Sequence, residues 1–264
     1  MIEKTSRFGK LAKKIRFLRD NLYGKKIMEL EKRLARQEEL LNMIVSDESV
    51  LWLYQNKEER MDATKHCFDE KRRQFHLQRY KFACSRVNGK VVADIACGTG
   101  YGSRLLMEEG RAKSVTGIDI DEDAIKYAGR KHKVDGVTFK AASADRTDEA
   151  SGFYDVVISF ETIEHVPDDC AMLVEFARIL KPGGLLVCST PNSWPVDISQ
   201  HHLRTYDMNA ISNVLDSKFV VEKFYNQNSG SDFIYNHNQP AGIVETDKSN
   251  YKNAECYIVV CRRK

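Results

Sequence analysis

From residue 90 onward the sequence alternates two hydrophobic periods, and that alternation leaves few folds open. The runs 90–96 (KVVADIA), 114–120 (SVTGIDI), 137–142 (VTFKAA), 155–160 (DVVISF) and 185–190 (LLVCST) are short, nearly continuous in apolar residues and rich in β-branched side chains. Between them lie segments with helical spacing, such as 121–132 (DEDAIKYAGRKH) and 170–181 (CAMLVEFARILK). Strands that carry no polar face are buried on both faces, so the pattern predicts a doubly wound α/β fold with a parallel sheet between helical layers. Two further strand-like runs, 218–225 (KFVVEKFY) and 255–263 (ECYIVVCRR), have no clear helix between them. They read as an antiparallel hairpin at the sheet edge, joined by the polar stretch 226–242.

The first strand runs into Gly98, Gly100 and Gly102. In a doubly wound sheet this is the edge where ligands bind, and glycines there let the backbone turn tightly and approach a ligand without Cβ atoms between. Asp119 ends the second strand 21 residues beyond Gly98, the spacing at which a carboxylate meets ribose hydroxyls. Taken alone, the glycines fit a tight strand-to-helix turn and Asp119 fits a helix cap; their joint placement favours an adenosine-like ligand. A nicotinamide fingerprint would need its third glycine at 103, where Ser103 stands.

Four stretches in this order and spacing, ADIACGTGYGS, VTGIDIDEDAIKYA, YDVVISFETIEHVPD and ILKPGGLLVCSTPN, resemble the successive motifs of class I S-adenosylmethionine-dependent methyltransferases. The resemblance covers residues 90–192, and extends more loosely through HLQRYKFA (76–83) and HHLRTY (201–206). That layout is similar to bacterial polysaccharide and sugar-pathway methyltransferases and to ubiquinone-pathway O-methyltransferases. It implies a seven-stranded, mostly parallel sheet whose last strand is antiparallel, with S-adenosylmethionine as cofactor. Carried onto this sequence, it implies that Gly98 and Gly100 pass under the methionine part, Asp94 faces the methionine ammonium and Asp119 takes both ribose hydroxyls. Ile120 would pack on the adenine, Asp145 would meet its amino group, Phe160 would line the channel and Arg79 would lie near the carboxylate. Asp145 also reads as a solvated loop acid, Arg79 as half of an ion pair on its own helix and Phe160 as ordinary core.

A sulfonium methyl is already activated, so the enzyme has to align an acceptor behind it, exclude water and, for a hydroxyl, remove a proton. Neutral imidazole suits that proton at pH 7. His165 follows the fourth strand, with Glu161 four residues earlier, where a helical turn would let the carboxylate hold the ring. His202 aligns with a histidine of the family pattern in the loop after the fifth strand, a region suited to acceptor contacts. The other reading of His165 is a cap or packing residue, and Glu164 reads as a surface or structural acid. His165, His201 and His202 show no characteristic metal-ligand spacing, and the expectation is a site with no metal.

The net charge of +3 conceals an asymmetry. Residues 1–36 hold twelve Lys or Arg against four acids, +8, which leaves −5 on residues 37–264. Phe8, Leu11, Ile15, Leu18 and Leu22, then after Gly24 Ile27, Leu30, Leu34, Leu41 and Ile44, form helical apolar stripes with Gln37 in the seam. The expected organisation is a helical extension over 1–60 and a methyltransferase domain over 61–264. The extension reads in three ways: packing on the body, a short coiled coil joining a homodimer, or a basic amphipathic helix on an anionic membrane. No signal-like leader or 20-residue apolar span is visible, and the seven cysteines form no CxxC pair. The expectation is a cytoplasmic protein with reduced thiols, peripheral at the inner membrane surface if the arm binds lipid. The leading function is methyl transfer to a small molecule, a hydroxyl of a sugar, surface polysaccharide or lipid-linked glycan. Quinone or phenol O-methylation, N-methylation and a non-catalytic cofactor-binding scaffold are the alternatives. A nucleic-acid acceptor is disfavoured, because SFET after the fourth strand lacks the Asn/Asp-Pro-Pro-aromatic signature of amino-directed base methylases.

Overall fold

A computed structural model of the protein describes residues 24–26, 28–37, 48–56, 60–65, 68–193, 201–230, 240–247 and 249–264. The chain divides into two compact units, Met1–Gln55 and Asn56–Lys264. In the first, residues 24–26 and 28–37 are helical, as is α1 (Glu48–Gln55). Gly24 is itself helical, and Met28, Leu30 and Leu34 are exposed. Phe8 to Leu22, Ile27, Leu41 and Ile44 lie outside the described residues. No described helix is long and apolar enough to cross a membrane.

The second unit runs α2 (Glu70–Cys84), β1 (Val91–Ile95), α3 (Tyr101–Glu108), β2 (Ser114–Asp119), α4 (Glu122–Lys131), β3 (Val137–Ala141), β4 (Tyr154–Phe160), α5 (Asp169–Ile179), β5 (Leu180–Pro191), α6 (Met208–Leu215), β6 (Phe219–Asn228), β7 (Gly242–Glu245) and β8 (Cys256–Arg263). The eight strands form one sheet in the order β3-β2-β1-β4-β5-β8-β6-β7. Pairings from β3 to β5 are parallel; those of β8, β6 and β7 are antiparallel.

The apolar strands are covered on both faces, as their composition requires. In β1, Ala93 and Ile95 enter a core layer that holds Met172, Leu173 and Phe176 of α5, while Val92 enters the opposite layer with Tyr80 and Ala83 of α2 and Leu106 of α3. β8 repeats the split, with Tyr257, Val259 and Cys261 on one side and Ile258 and Val260 on the other. Aspartates cap four helices through backbone amides: Asp69 for α2, Asp121 for α4, Asp168 for α5 and Asp207 for α6. α3 instead begins at Gly100, which has no side chain to cap with.

The sheet corrects two expectations. It has eight strands rather than seven: the last strand, β8, runs antiparallel to its neighbours β5 and β6 as expected, β6 runs in the direction of β1–β5, and the added strand is β7, antiparallel to β6. The runs 218–225 and 255–263 do pair antiparallel, but β8 sits between β5 and β6, buried on both faces. The stretch expected to be a plain connection contributes the end of β6 and the added edge strand β7, a four-residue ladder from Tyr225↔Glu245 to Asn228↔Gly242. β7 is too short and too exposed to carry a strand's hydrophobic signature.

Candidate active site

Strand order reverses between β1 and β4, so the chain leaves β1 toward one side of the sheet and β4 toward the other, opening a crevice beyond their C-terminal ends. A cavity of about 690 Å³ occupies that crevice, within the size range of small-molecule sites. It is lined by Gly98, Asp119, Ile120, Arg79, Phe160 and Glu161 among others.

The turn after β1 places Ala96, Gly98 and Gly100 at φ of 60°, 55° and 81°. Gly98 donates its N–H to Asp119 Oδ2 at 2.8 Å, and Asp121 donates its N–H to Oδ1 at 3.0 Å. Two amides thus hold the Asp119 carboxylate at the cavity wall, joining the glycine turn to the end of β2. The two glycines differ in purpose. A Cβ on Gly98 would meet no protein atom within 4 Å, whereas one on Gly100 would lie 2.6 Å from Ala128 Cβ and 2.7 Å from Phe139 Cε1. Gly100 does not line the cavity; it lets α3 pack against α4 and β3. Gly102, which the sequence grouped with the turn and ligand-approach glycines, faces Tyr80, whose Cζ would lie 1.9 Å from an added Cβ.

Asp94 also departs from expectation. It is buried under the turn, accepting from Ser103 Oγ at 2.6 Å and from Tyr80 OH at 3.3 Å, and it does not line the cavity. Burial pushes its carboxyl up to about 7. Asp145 is exposed and off the cavity wall, which at that turn is made by Ala142, Ser143 and Ala144. Ile120 stands at the rim, 71 % exposed. Phe160 lines the cavity and packs edge-on against Tyr80, with ring centroids 5.2 Å apart.

Arg79 is buried and held from several sides. Its Nε donates to Gln227 Oε1 at 2.6 Å, its Nη2 lies 3.5 Å from Glu161 Oε2, and its guanidinium stacks over Phe75. The ion pair therefore crosses from α2 to the end of β4 instead of staying on its own helix. His76, one turn earlier, is held well below its ordinary range by burial and by the Arg79 and Arg72 charges.

Glu161 sits at φ 50°, a left-handed position at the end of β4, and its Oε1 accepts from Ser189 Oγ at 2.8 Å. It does not hold His165: residues 161–165 form a tight turn, with the His165 N–H on the Thr162 carbonyl, so the four-residue helical spacing does not apply. The acid facing His165 is Glu164, whose Oε1 lies 3.9 Å from His165 Nε2. Glu164 is no surface acid; it is 1 % exposed, and burial followed by the Glu161 charge pushes its carboxyl well above the usual range. The Leu203 N–H on the Glu164 carbonyl brings the 201–206 segment alongside, and the His165 and His202 rings meet edge-on at 4.7 Å. His202 is lowered by burial and by His165. The structure thus gathers Glu161, Glu164, His165 and His202 on one wall of the cavity whose floor is Gly98 and Asp119.

One component carried no sequence signal. In the segment 60–65, Arg60 and Met61 line the cavity. Thr99 Oγ1 donates to the Met61 carbonyl at 2.7 Å, and Arg60 pairs with Asp121 at 3.0 Å. Asp62, fully buried, accepts from Tyr127 OH at 2.8 Å and Thr64 Oγ1 at 2.6 Å and lies 2.7 Å from His132 Nε2. The partners are scattered through the chain, so no local motif announces the network.

A family model described as a methyltransferase domain matches residues 86–254. Among curated relatives, the phthiotriol/phenolphthiotriol dimycocerosates methyltransferase 1 of Mycobacterium ulcerans is 26% identical over 215 residues, covering 78% of this chain and 77% of that protein. The ubiquinone biosynthesis O-methyltransferase of Pseudomonas paraeruginosa is 37% identical over 111 residues, covering 40% of this chain and 47% of that protein. This chain therefore aligns with about half the length of its ubiquinone-pathway relative. Among solved structures, an S-adenosylmethionine-dependent methyltransferase of Mesorhizobium loti superposes with a TM-score of 0.54 at 20% identity, over 72% of this chain and 98% of that one. The N-methyltransferase NodS of Bradyrhizobium japonicum, in complex with S-adenosyl-L-homocysteine, gives 0.55 at 17% identity, over 73% and 87%. At these identities the two structures show likeness of fold.

Proposed function

Because this chain belongs to the methyltransferase-domain family, an S-adenosylmethionine-dependent enzyme family, we propose that it moves the methyl group to a hydroxyl of a sugar, a surface polysaccharide or a lipid-linked glycan. The observation that carries an oxygen acceptor is the grouping of Glu161, Glu164, His165 and His202 on the wall of the cavity that Gly98 and Asp119 floor. A hydroxyl has to lose a proton as it attacks, and carboxylate and imidazole groups are the side chains able to take it near neutral pH. The acceptor oxygen forms a C–O bond as the S–CH₃ bond breaks, the electron pair stays on sulfur, and the hydroxyl proton passes to this cluster.

In the same reading, Asp119 holds the ribose hydroxyls, Gly98 underlies the methionine part, Ile120 covers the adenine and Arg79 faces the carboxylate. The basic arm supports an acceptor held at an anionic membrane; liposome flotation of the full chain and of a chain lacking residues 1–25 tests that part, and equal partitioning would remove it. The names of the relatives favour one second reading, a phenolic or quinone-linked hydroxyl. Incubation with methyl-labelled S-adenosylmethionine and separate pools of cell glycans, glycolipids, quinone precursors and nucleic acids distinguishes the readings. Label in glycans or glycolipids is expected; label confined to quinone precursors selects the second reading. Tight cofactor binding with no label in any pool would instead point to a scaffold without turnover.

A further inference from the structure

With Gln37 counted among them, the apolar positions after Gly24 follow steps of 3, 4, 3, 4 and 3. That is a strict heptad repeat, with Ile27, Leu34 and Leu41 at the a positions and Leu30, Gln37 and Ile44 at d. Residues 28–37 are helical, and the seam they carry is bare: Leu30 is 53% exposed and Leu34 57%. A helix this short is marginal in water on its own propensity and draws its stability from covering such a face.

The charges indicate what covers it. Residues 27–44 hold four acids against three bases, a net −1, whereas residues 1–26 hold nine bases against two acids, a net +7. An anionic surface attracts the basic segment, so the surface-seeking charge of the arm ends where the heptads begin. Beside the seam, the g positions are basic (Lys26, Arg33) and the e positions acidic (Glu31, Glu38); Lys26, Glu31 and Arg33 are exposed. In a parallel pair each g residue meets the e residue five positions on in the other helix. Lys26 then faces Glu31 of the second copy and Arg33 faces its Glu38, each twice over. In an antiparallel pair g meets g and e meets e, and every such contact joins like charges. Gln37 adds to the same preference. In parallel register the two Gln37 amides share one layer and can bond to each other, whereas a shift of one heptad sets each against Leu30 or Ile44.

We infer that residues 27–44 form a parallel two-stranded coiled coil with a second copy of this chain. Pairing in that direction sends both +7 segments out from one end of the coil. The coil spans fewer than three heptads, so pairing is reversible and depends on protein concentration.

The test uses the full chain, with mass followed by light scattering at rising concentration. It should climb from the 30.3 kDa of one chain toward twice that value; a monomer throughout, or three or more chains, would overturn the inference. Two charge variants examine the interface. Glu31→Lys with Glu38→Lys makes both flanks basic, and Lys26→Glu with Arg33→Glu makes both acidic. All four charge pairs then repel, and each variant alone should self-associate about tenfold or more weakly. Mixed together, the two regain attraction at every pair and should form a heterodimer. Variants that dimerise as wild type does, or that stay apart on mixing, would overturn the pairing. S-Adenosylhomocysteine binding kept by each variant shows that the methyltransferase domain is intact. Direction is read with Leu30→Cys under mild oxidation. Parallel helices set the two new thiols opposite each other, within disulfide reach, and should give a crosslinked dimer beyond the wild-type background. In an antiparallel pair over the same residues they would stand about 16 Å apart, so the lack of an added crosslink would overturn the parallel arrangement.

Discussion

Gly98 and Gly100 stand two residues apart in one turn, yet their alanine variants should fail in different ways. Both have positive φ, 55° and 81°, and left-handed backbone costs a residue with a Cβ about 1–2 kcal/mol. For Gly98→Ala that is nearly the whole cost to the fold, because no protein atom lies within 4 Å of the new methyl. In Gly100→Ala the methyl would approach Ala128 Cβ to 2.6 Å and Phe139 Cε1 to 2.7 Å. Both neighbours belong to packed elements, and overpacking adds about 1–3 kcal/mol. Gly100→Ala should therefore lose about 2–5 kcal/mol of stability and Gly98→Ala about 1–2. Ligand affinity should run the other way. Gly98 lines the cavity and its N–H aims the Asp119 carboxylate, so its methyl would crowd the ligand, and S-adenosylhomocysteine binding should weaken by about tenfold or more, the equivalent of 1.4 kcal/mol. Gly100→Ala should bind nearly as wild type in whatever fraction is folded. Urea denaturation followed by circular dichroism gives the first quantity and calorimetric titration the second. Equal destabilisation of the two variants, or wild-type affinity in Gly98→Ala, would refute the division of labour.

Asp119→Asn should weaken S-adenosylhomocysteine by about 10–100-fold, the worth of hydrogen bonds to a charged acceptor; unchanged calorimetric affinity would remove Asp119 from the ribose site. Burial alone would raise the Glu175 carboxyl, but hydrogen bonds from Arg178 and Thr147 outweigh it and pull the group down to about 2 from an ordinary 4.5. A depressed carboxyl stabilises the fold above its unfolded pKa and loses that contribution as pH falls through the folded one. Glu175→Gln should therefore cost about 3 kcal/mol at pH 6 and almost nothing near pH 2, a convergence that denaturation curves across that range would reveal or exclude. Asp62→Ala should cost about 3–5 kcal/mol, as when one partner of a buried polar pair is removed, and should speed proteolysis within residues 60–65. Unaltered cleavage there would show that Asp62 does not hold the segment in place.

How much of this was legible in the sequence follows from how local each signal is. Strand and helix periods are set by neighbouring residues, so the parallel half of the sheet could be read directly, as could the glycine turn and Asp119, whose mutual hydrogen bond joins consecutive strands. β7 could not, because a four-residue edge strand is held by its ladder to β6 more than by its own side chains. Glu161 and His165 do not pair, because a spacing of four brings side chains together only on a helix and the backbone here makes a turn.

The sequence by itself determined which strand runs into the glycine motif and that Asp119 ends the next one, since both depend on order along the chain. Tertiary structure decided what each motif residue faces. Gly100 and Gly102 are glycine because Ala128, Phe139 and Tyr80 arrive from other elements, and Asp94 is buried because Tyr80 and Ser103 close over it. Glu164 became the central acid only when the 201–206 segment folded against it. Burial and the convergence of lone pairs are properties of distances between residues remote in sequence, and no period along the chain encodes them.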